Sequence, residues 1–151
     1  MKKIIGLEQD IIAGKSIGGI SLGDRESDII DQIGDKYTIA QLQFKSQLEM
    51  YTLFKIADGA ISFTSNKEGI IVSLWCKPPY KGSYNGRLYP GISALELKRI
   101  SKRQELVKGY LVIDNMFNIY YGMPDDVDDF NCFNDLDNET RFNELYVGNL
   151  L

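Results

Sequence analysis

MYTLFKIADGAISFTSNKEGIIVSLWCK, residues 50–77, reads as three consecutive β-strands joined by two turns. Met50–Ile56 carries Tyr51, Leu53 and Phe54. Asp58-Gly59 is a hairpin dipeptide, because these residue types tolerate the positive φ that a tight turn imposes. Ala60–Thr64 follows, with Ile61 and Phe63 on one face. Asn66–Gly69 turns the chain again into Ile70–Lys77. There Ile70, Val72, Leu74 and Cys76 form the more apolar face, and Ile71 shares the other with Ser73. Such a meander lies half-buried against a second layer.

Upstream, Tyr37–Phe44 alternates with one slip that fits a bulge. Lys15–Asp24 is an extended entry with glycine turns. Asp24 is placed to cap a helix over about residues 25–33, whose first turns hold Glu26 and Asp28. Ile29, Ile30 and Ile33 share its apolar face, and Gly34 stops it. Downstream, residues 77–91 (KPPYKGSYNGRLYPG) are a loop. Ser93 and Glu96 have capping-box spacing and open a second helix with Leu97 and Ile100 inward. Leu106–Ile113 and Phe117–Tyr121 bracket a turn at Asp114-Asn115, and Arg141–Val147 is the last strand. Gly19-Ile20-Ser21 recurs as Gly91-Ile92-Ser93, each followed by a helix and a strand pair around an Asp-turn. The expected architecture is one α+β domain over residues 1–151, a twisted, mostly antiparallel sheet with two helices. Its element order admits two tandem βαββ-like halves, 15–77 and 89–147.

Charge is unevenly placed. Residues 122–145 hold eight acids (Asp125, Asp126, Asp128, Asp129, Asp135, Asp137, Glu139, Glu144) and one base, Arg141, a net −7. The whole chain is −4, so the remainder is +3. An acidic segment on a mildly basic domain attracts basic partners and repels nucleic acid. At 44% hydrophobic residues the chain can bury a core, and no stretch approaches a membrane span. The first ten residues lack the apolar run of a signal peptide, so a cytoplasmic location is expected, with Cys76 and Cys132 as free thiols.

Enzyme chemistry finds little purchase. With no histidine there is no imidazole base and no Ser-His-Asp or Cys-His arrangement. Two distant cysteines do not make a zinc site. Gly14-Lys15-Ser16 lacks the upstream glycine of a phosphate loop, since position 9 is Gln9. No glycine falls between Asp125 and Asp137, which breaks the calcium-loop pattern. No metal, cofactor or catalytic residue is assigned. A histidine-free enzyme working through carboxylates, and a structural or regulatory interaction module, stand as the alternatives to a binding function.

The candidate binding residues are Asp125, Asp126, Asp128, Asp129, Asp135 and Asp137, as an electrostatic docking surface for a basic protein. Phe130, Phe133 and Phe142 interleave with these acids and can anchor a contact or fill the core. Of these Phe130 is taken as the anchor. Tyr80, Tyr84 and Tyr89 sit among Gly, Ser, Asn and Pro, the composition of protein-binding loops, and can equally lie flat on the domain. Tyr84 is the candidate contact from that loop.

The segment IIAGKSIGGISLGDRESDIIDQIG, residues 11–34, with the meander and second Gly-Ile-Ser that follow, resembles bacterial immunity proteins. These are the small cytoplasmic antitoxins of contact-dependent inhibition and related polymorphic-toxin systems. Similar glycine-rich entries also occur in small repeat-type binding modules, including ones that resemble beta-lactamase-inhibitor protein. The resemblance implies a non-catalytic protein that binds one cognate toxin domain, often a nuclease, and blocks or covers its active site. It carries no residue roles onto this chain, and it implies neither nucleic acid nor membrane as partner.

Overall fold

The computed structural model describes residues 4–127 and 132–151. β1 (Ser16–Ile17) and β2 (Ile20–Ser21) form a tight ribbon turned at Gly18 and Gly19, with φ of 65° and 86°. A methyl group on Gly19 would lie 2.0 Å from the Ile4 carbonyl oxygen, so the close approach of the N-terminal segment requires glycine there. α1 (Glu26–Ile33) buries Ile29 and Ile33 and ends at Gly34, whose N–H reaches Ile30 O at 3.1 Å. Asp24 does not cap it. Arg25 holds the N-cap position, and Asp24 Oδ2 accepts from the Ser21 N–H at 2.9 Å, closing the ribbon onto the helix start.

Four strands follow: β3 (Ile39–Ser46), β4 (Glu49–Ile56), β5 (Ile61–Ser65) and β6 (Ile71–Cys76). β7 (Ile92–Ser93) leads into α2 (Ala94–Ile100), where Ser93 Oγ accepts from the Glu96 N–H at 3.2 Å as its spacing predicts. The Glu96 carboxylate accepts instead from the Tyr89 hydroxyl. β8 (Gln104–Val107), β9 (Tyr110–Ile113) and β10 (Ile119–Gly122) come next, then a single 3-10 turn (Phe133–Asp135), β11 (Arg141–Phe142) and β12 (Leu145–Val147). β11 pairs with β7. The eight longer-range strands make one antiparallel sheet in the order β3-β4-β5-β6-β12-β10-β9-β8. Strands after α1 fill it from one edge and strands after α2 from the other, and they meet at β6 and β12.

Four strand readings change, the first being that β3 carries no bulge, because its register against β4 runs unbroken from Ile39↔Ile56 to Ser46↔Glu49. Leu106–Ile113 is not one strand but a hairpin reversed at Lys108-Gly109, both at positive φ. Arg141–Val147 divides, because residues 141–142 pair with β7 while 145–147 enter the main sheet. In β6 the apolar face is as expected at Leu74 and Cys76 but shifts by one residue before them. Pairing jumps from Thr64↔Ser73 to Ser65↔Ile71, which leaves Val72 as the extra residue of a bulge. Ile71 is therefore buried with Leu74 and Cys76, while Val72 is 47% exposed.

Residues opposite each other in an antiparallel sheet share a face. One continuous row runs Ile39, Ile56, Ile61, Cys76, Leu145, Tyr121, Leu111, Leu106 across all eight strands. Ile29 and Ile33 of α1 and Ala94 and Leu97 of α2 join it in a single core, with Phe54, Phe63 and Leu74 alongside. The Tyr121 hydroxyl donates to Tyr89 O at 2.9 Å, which settles the polar end of a side chain that is otherwise fully buried. Burial pushes the Cys76 thiol far above its ordinary value, so it stays a neutral packing group.

Candidate functional site: the uncovered face of the sheet

The next row belongs to the opposite face. It runs Ala40, Lys55, Ser62, Trp75, Tyr146, Tyr120, Val112, Glu105, again through all eight strands. Neither helix contributes to it, and its rings lie outside the core cluster. On such a face alternation should leave polar residues in water. Here its centre is aromatic. Trp75 stacks on Tyr146 at 5.4 Å between ring centroids, and Tyr146 stacks on Tyr120 at 5.8 Å with planes only 5° apart. Tyr110 meets both edge-on, at 4.9 Å from Tyr120 and 5.3 Å from Tyr146. Val112, the strand partner of Tyr120 in this row, is fully buried although neither helix contributes to the row.

Two strands away, Phe44 of β3 stacks on Tyr51 of β4 at 5.7 Å. Between the two aromatic groups the side chains are short. Thr64 of β5 and Ser73 of β6 are opposite residues whose hydroxyls hydrogen-bond to each other. The result is a groove of ≈ 370 Å³ with rings on both sides, small hydroxyls between them and, among the described residues, no charged side chain in its lining. Burial raises the Tyr120 and Tyr146 hydroxyls above the ordinary phenol range, and the neighbouring Glu144 carboxylate adds to the effect on Tyr146. Both stay neutral at physiological pH. The Tyr146 hydroxyl donates to Glu144 Oε1 at 3.2 Å, which sets one carboxylate at the rim.

The residues singled out from sequence lie elsewhere. Asp125 and Asp126 are exposed just beyond β10, at the end of the sheet where β6 finishes and β12 begins. They share a depression of ≈ 460 Å³ with Glu144, Lys77 and Arg141, so two cations offset their field at short range. Asp135 is exposed on the 3-10 turn. Asp137 is exposed too, and its Oδ1 accepts from the Glu139 N–H at 2.9 Å, organising the loop into β11. Asp128, Asp129 and Phe130 lie outside the described residues. Phe133 and Phe142 stack at 5.9 Å inside the core and offer nothing to a partner. Tyr84 is half-buried against the core and Tyr80 is buried, its hydroxyl accepting from the Gly18 N–H at 3.0 Å and donating to Gln9 O. The loop tyrosines thus lie flat on the domain. Among the described residues no three acids or thiols converge as a metal site would require.

Sequence reading missed the aromatic groove. Each ring was visible within its strand, but nothing local says that Trp75, Tyr146, Tyr120 and Tyr110 share a face. That depends on the β6–β12–β10–β9 register, set by contacts up to 71 residues apart between Trp75 and Tyr146. The chain matches no protein-family model, no curated protein and no solved structure. No helix among the described residues is long and apolar enough to cross a membrane.

Proposed function

We propose that this chain acts by stoichiometric binding to another protein through the uncovered sheet face, and that the partner is a toxin domain which it neutralises. The observation that carries this reading is the set of six aromatic rings held on the sheet face that neither helix covers. Buried Trp and Tyr dominate binding energy at protein interfaces, because each brings a large rigid area at little cost in rotamer entropy. Here the backbone ladder and the ring stacks fix them before a partner arrives, which lowers the ordering cost of association. At the end of the same sheet the acids Asp125, Asp126 and Glu144 outnumber the cations Lys77 and Arg141 by one, which leaves a weak attraction for a basic partner such as a nuclease. In this reading the chain performs no covalent step.

The test is calorimetric titration of the chain into the protein product of the neighbouring reading frame, with the toxicity of that product followed in parallel. Wild type binds one to one and silences the toxin. Trp75→Ala with Tyr146→Ala lowers affinity by about 100-fold or more, as loss of hot-spot residues does. Asp125→Asn with Asp126→Asn lowers mainly the association rate, by about ten-fold at low salt. An aromatic double variant that binds and protects as well as wild type removes the groove from the interface.

A further inference from the structure

We propose that the aromatic groove takes an arginine side chain of the partner, an assignment that rests on the binding role given to this face. The groove has the composition of a cation receptor. Six of its nine lining residues are aromatic (Phe44, Tyr51, Trp75, Tyr110, Tyr120, Tyr146) and the other three, Ser46, Thr64 and Ser73, carry hydroxyls. Aromatic faces are electron-rich, and they attract a cation placed over them most strongly when water is excluded. Among the described residues no lysine or arginine lines the groove. Charge near it favours the same sign of guest. Among the described residues the carboxylate bonded to a groove ring is Glu144, held by the Tyr146 hydroxyl; it also lines the depression that holds Lys77 and Arg141, neither of which lines the groove. Along the strand row the nearest cation, Lys55, is separated from Trp75 by Ser62, and Glu105 closes the other end.

Guanidinium fits better than ammonium. It is planar, weakly hydrated, and stacks on rings while its N–H fork donates to oxygen. Between its two ring groups the groove offers that combination: flat aromatic surface, and the hydroxyl oxygens of Thr64 and Ser73 on its floor. A lysine ammonium would have to shed a tighter water shell for fewer directed contacts. A nucleic acid base could also stack on these rings, but its phosphates would meet Glu144 and a chain of net charge −4.

Trp75 is the only tryptophan, so its emission reports on this groove alone. The probes are acetyl-Gly-Arg-Gly-amide and its citrulline counterpart, which has nearly the same shape without the charge. Each is titrated into wild-type protein at fixed ionic strength, with excitation selective for tryptophan. The arginine peptide should give a saturable change at a concentration about ten-fold lower than the citrulline peptide. Asp125→Asn with Asp126→Asn should leave that difference intact, and Tyr120→Leu with Tyr146→Leu should abolish it. Equal response to the two peptides, no response, or a preference lost with the aspartates overturns the assignment. The wild-type comparison needs no variant to fold. Should the toxin titration succeed while the peptides fail, only the arginine guest is wrong; an aromatic double variant that binds the toxin as tightly as wild type removes the docking face itself.

Discussion

The two faces of the main sheet share every backbone hydrogen bond and differ only in side chains. At neighbouring positions on the same strands, the covered row carries Ile61, Cys76, Leu145 and Tyr121, and the open row carries Ser62, Trp75, Tyr146 and Tyr120. Fold stability needs the first set, because α1 and α2 bury it. Solubility alone would make the second set charged or small, as Ala40, Lys55 and Glu105 are at its ends. Its aromatic centre does not serve solubility and contributes to stability only through partial burial and ring stacking. Tyr120 and Tyr121 show the contrast within one dipeptide: Tyr121 is fully buried with its hydroxyl on Tyr89 O, whereas Tyr120 stands half-buried in the ring stack. A residue type that builds the core on one side builds a receptive surface on the other, and the register decides which.

The sharpest way to break this contrast is to truncate one ring on each face. Phe63 is fully buried and stacks on Phe54 at 5.0 Å. Phe63→Ala should cost about 3–5 kcal/mol, from lost transfer energy and the cavity left behind. Trp75 is larger but half-buried, with Tyr146 as its stacking partner. Trp75→Ala should cost about 1–2 kcal/mol, the ring-pair contribution with a share of partial burial. Urea unfolding of both variants measures the difference. Equal losses would mean that the open face is core, covered by something the contrast ignores.

Much of the covered face was legible. Ile61 and Phe63 alternate cleanly, Asp58-Gly59 turns where its chemistry says, and the Ser93–Glu96 spacing caps α2. Those signals are local, and local geometry enforces them. What was not legible depends on distant pairing or on one extra residue. The Val72 bulge reverses the expected faces at the start of β6, since a one-residue shift turns side chains over. Lys108-Gly109 hides a turn inside an apolar run, because lysine is no turn residue by composition although it adopts φ 53° here. The acidic segment was conspicuous as a string of letters. In space Asp125 and Asp126 sit beside Lys77 and Arg141, and the phenylalanines 133 and 142 face inward. Clustering in sequence measures charge density along the chain, whereas recognition depends on what surrounds each charge.

A middle-sized effect comes from titration. Desolvation raises the hydroxyls of Tyr80, Tyr121 and Tyr146 above the ordinary phenol value of about 10. A group whose folded value exceeds its unfolded value gives stability that is complete below the unfolded value and is lost as pH rises toward the folded one. Urea midpoints should therefore stay level to about pH 9.5 and fall above pH 10. Phenolate absorbance should rise in two stages, accessible tyrosines first and these three only as the chain unfolds. Both faces contribute here, Tyr121 from the core and Tyr146 from the groove, so Tyr146→Phe should flatten part of the alkaline loss and leave the rest. A single-stage titration with no loss of stability would place these hydroxyls in water and remove the packing assigned to both rows.

The smallest effect costs no stability and reads the two faces at neighbouring residues. Trp75 and Cys76 are adjacent in β6 and point to opposite sides of the sheet. Cys76 is 0% exposed, and burial holds its thiol protonated, so it has neither access nor the thiolate that reacts. Cys132 is exposed. A thiol reagent should modify one cysteine per folded chain and the second only after denaturation, with the urea midpoint of the singly labelled protein unchanged. In the same sample a neutral quencher should reach Trp75, because its ring borders the open groove. Two thiols reacting at one rate, beside a tryptophan closed to quencher, would mean that β6 presents its other side to solvent. The aromatic row would then be the interior and the aliphatic row the surface, and the single core that joins α1 and α2 to Ile61 and Leu74 would be wrong.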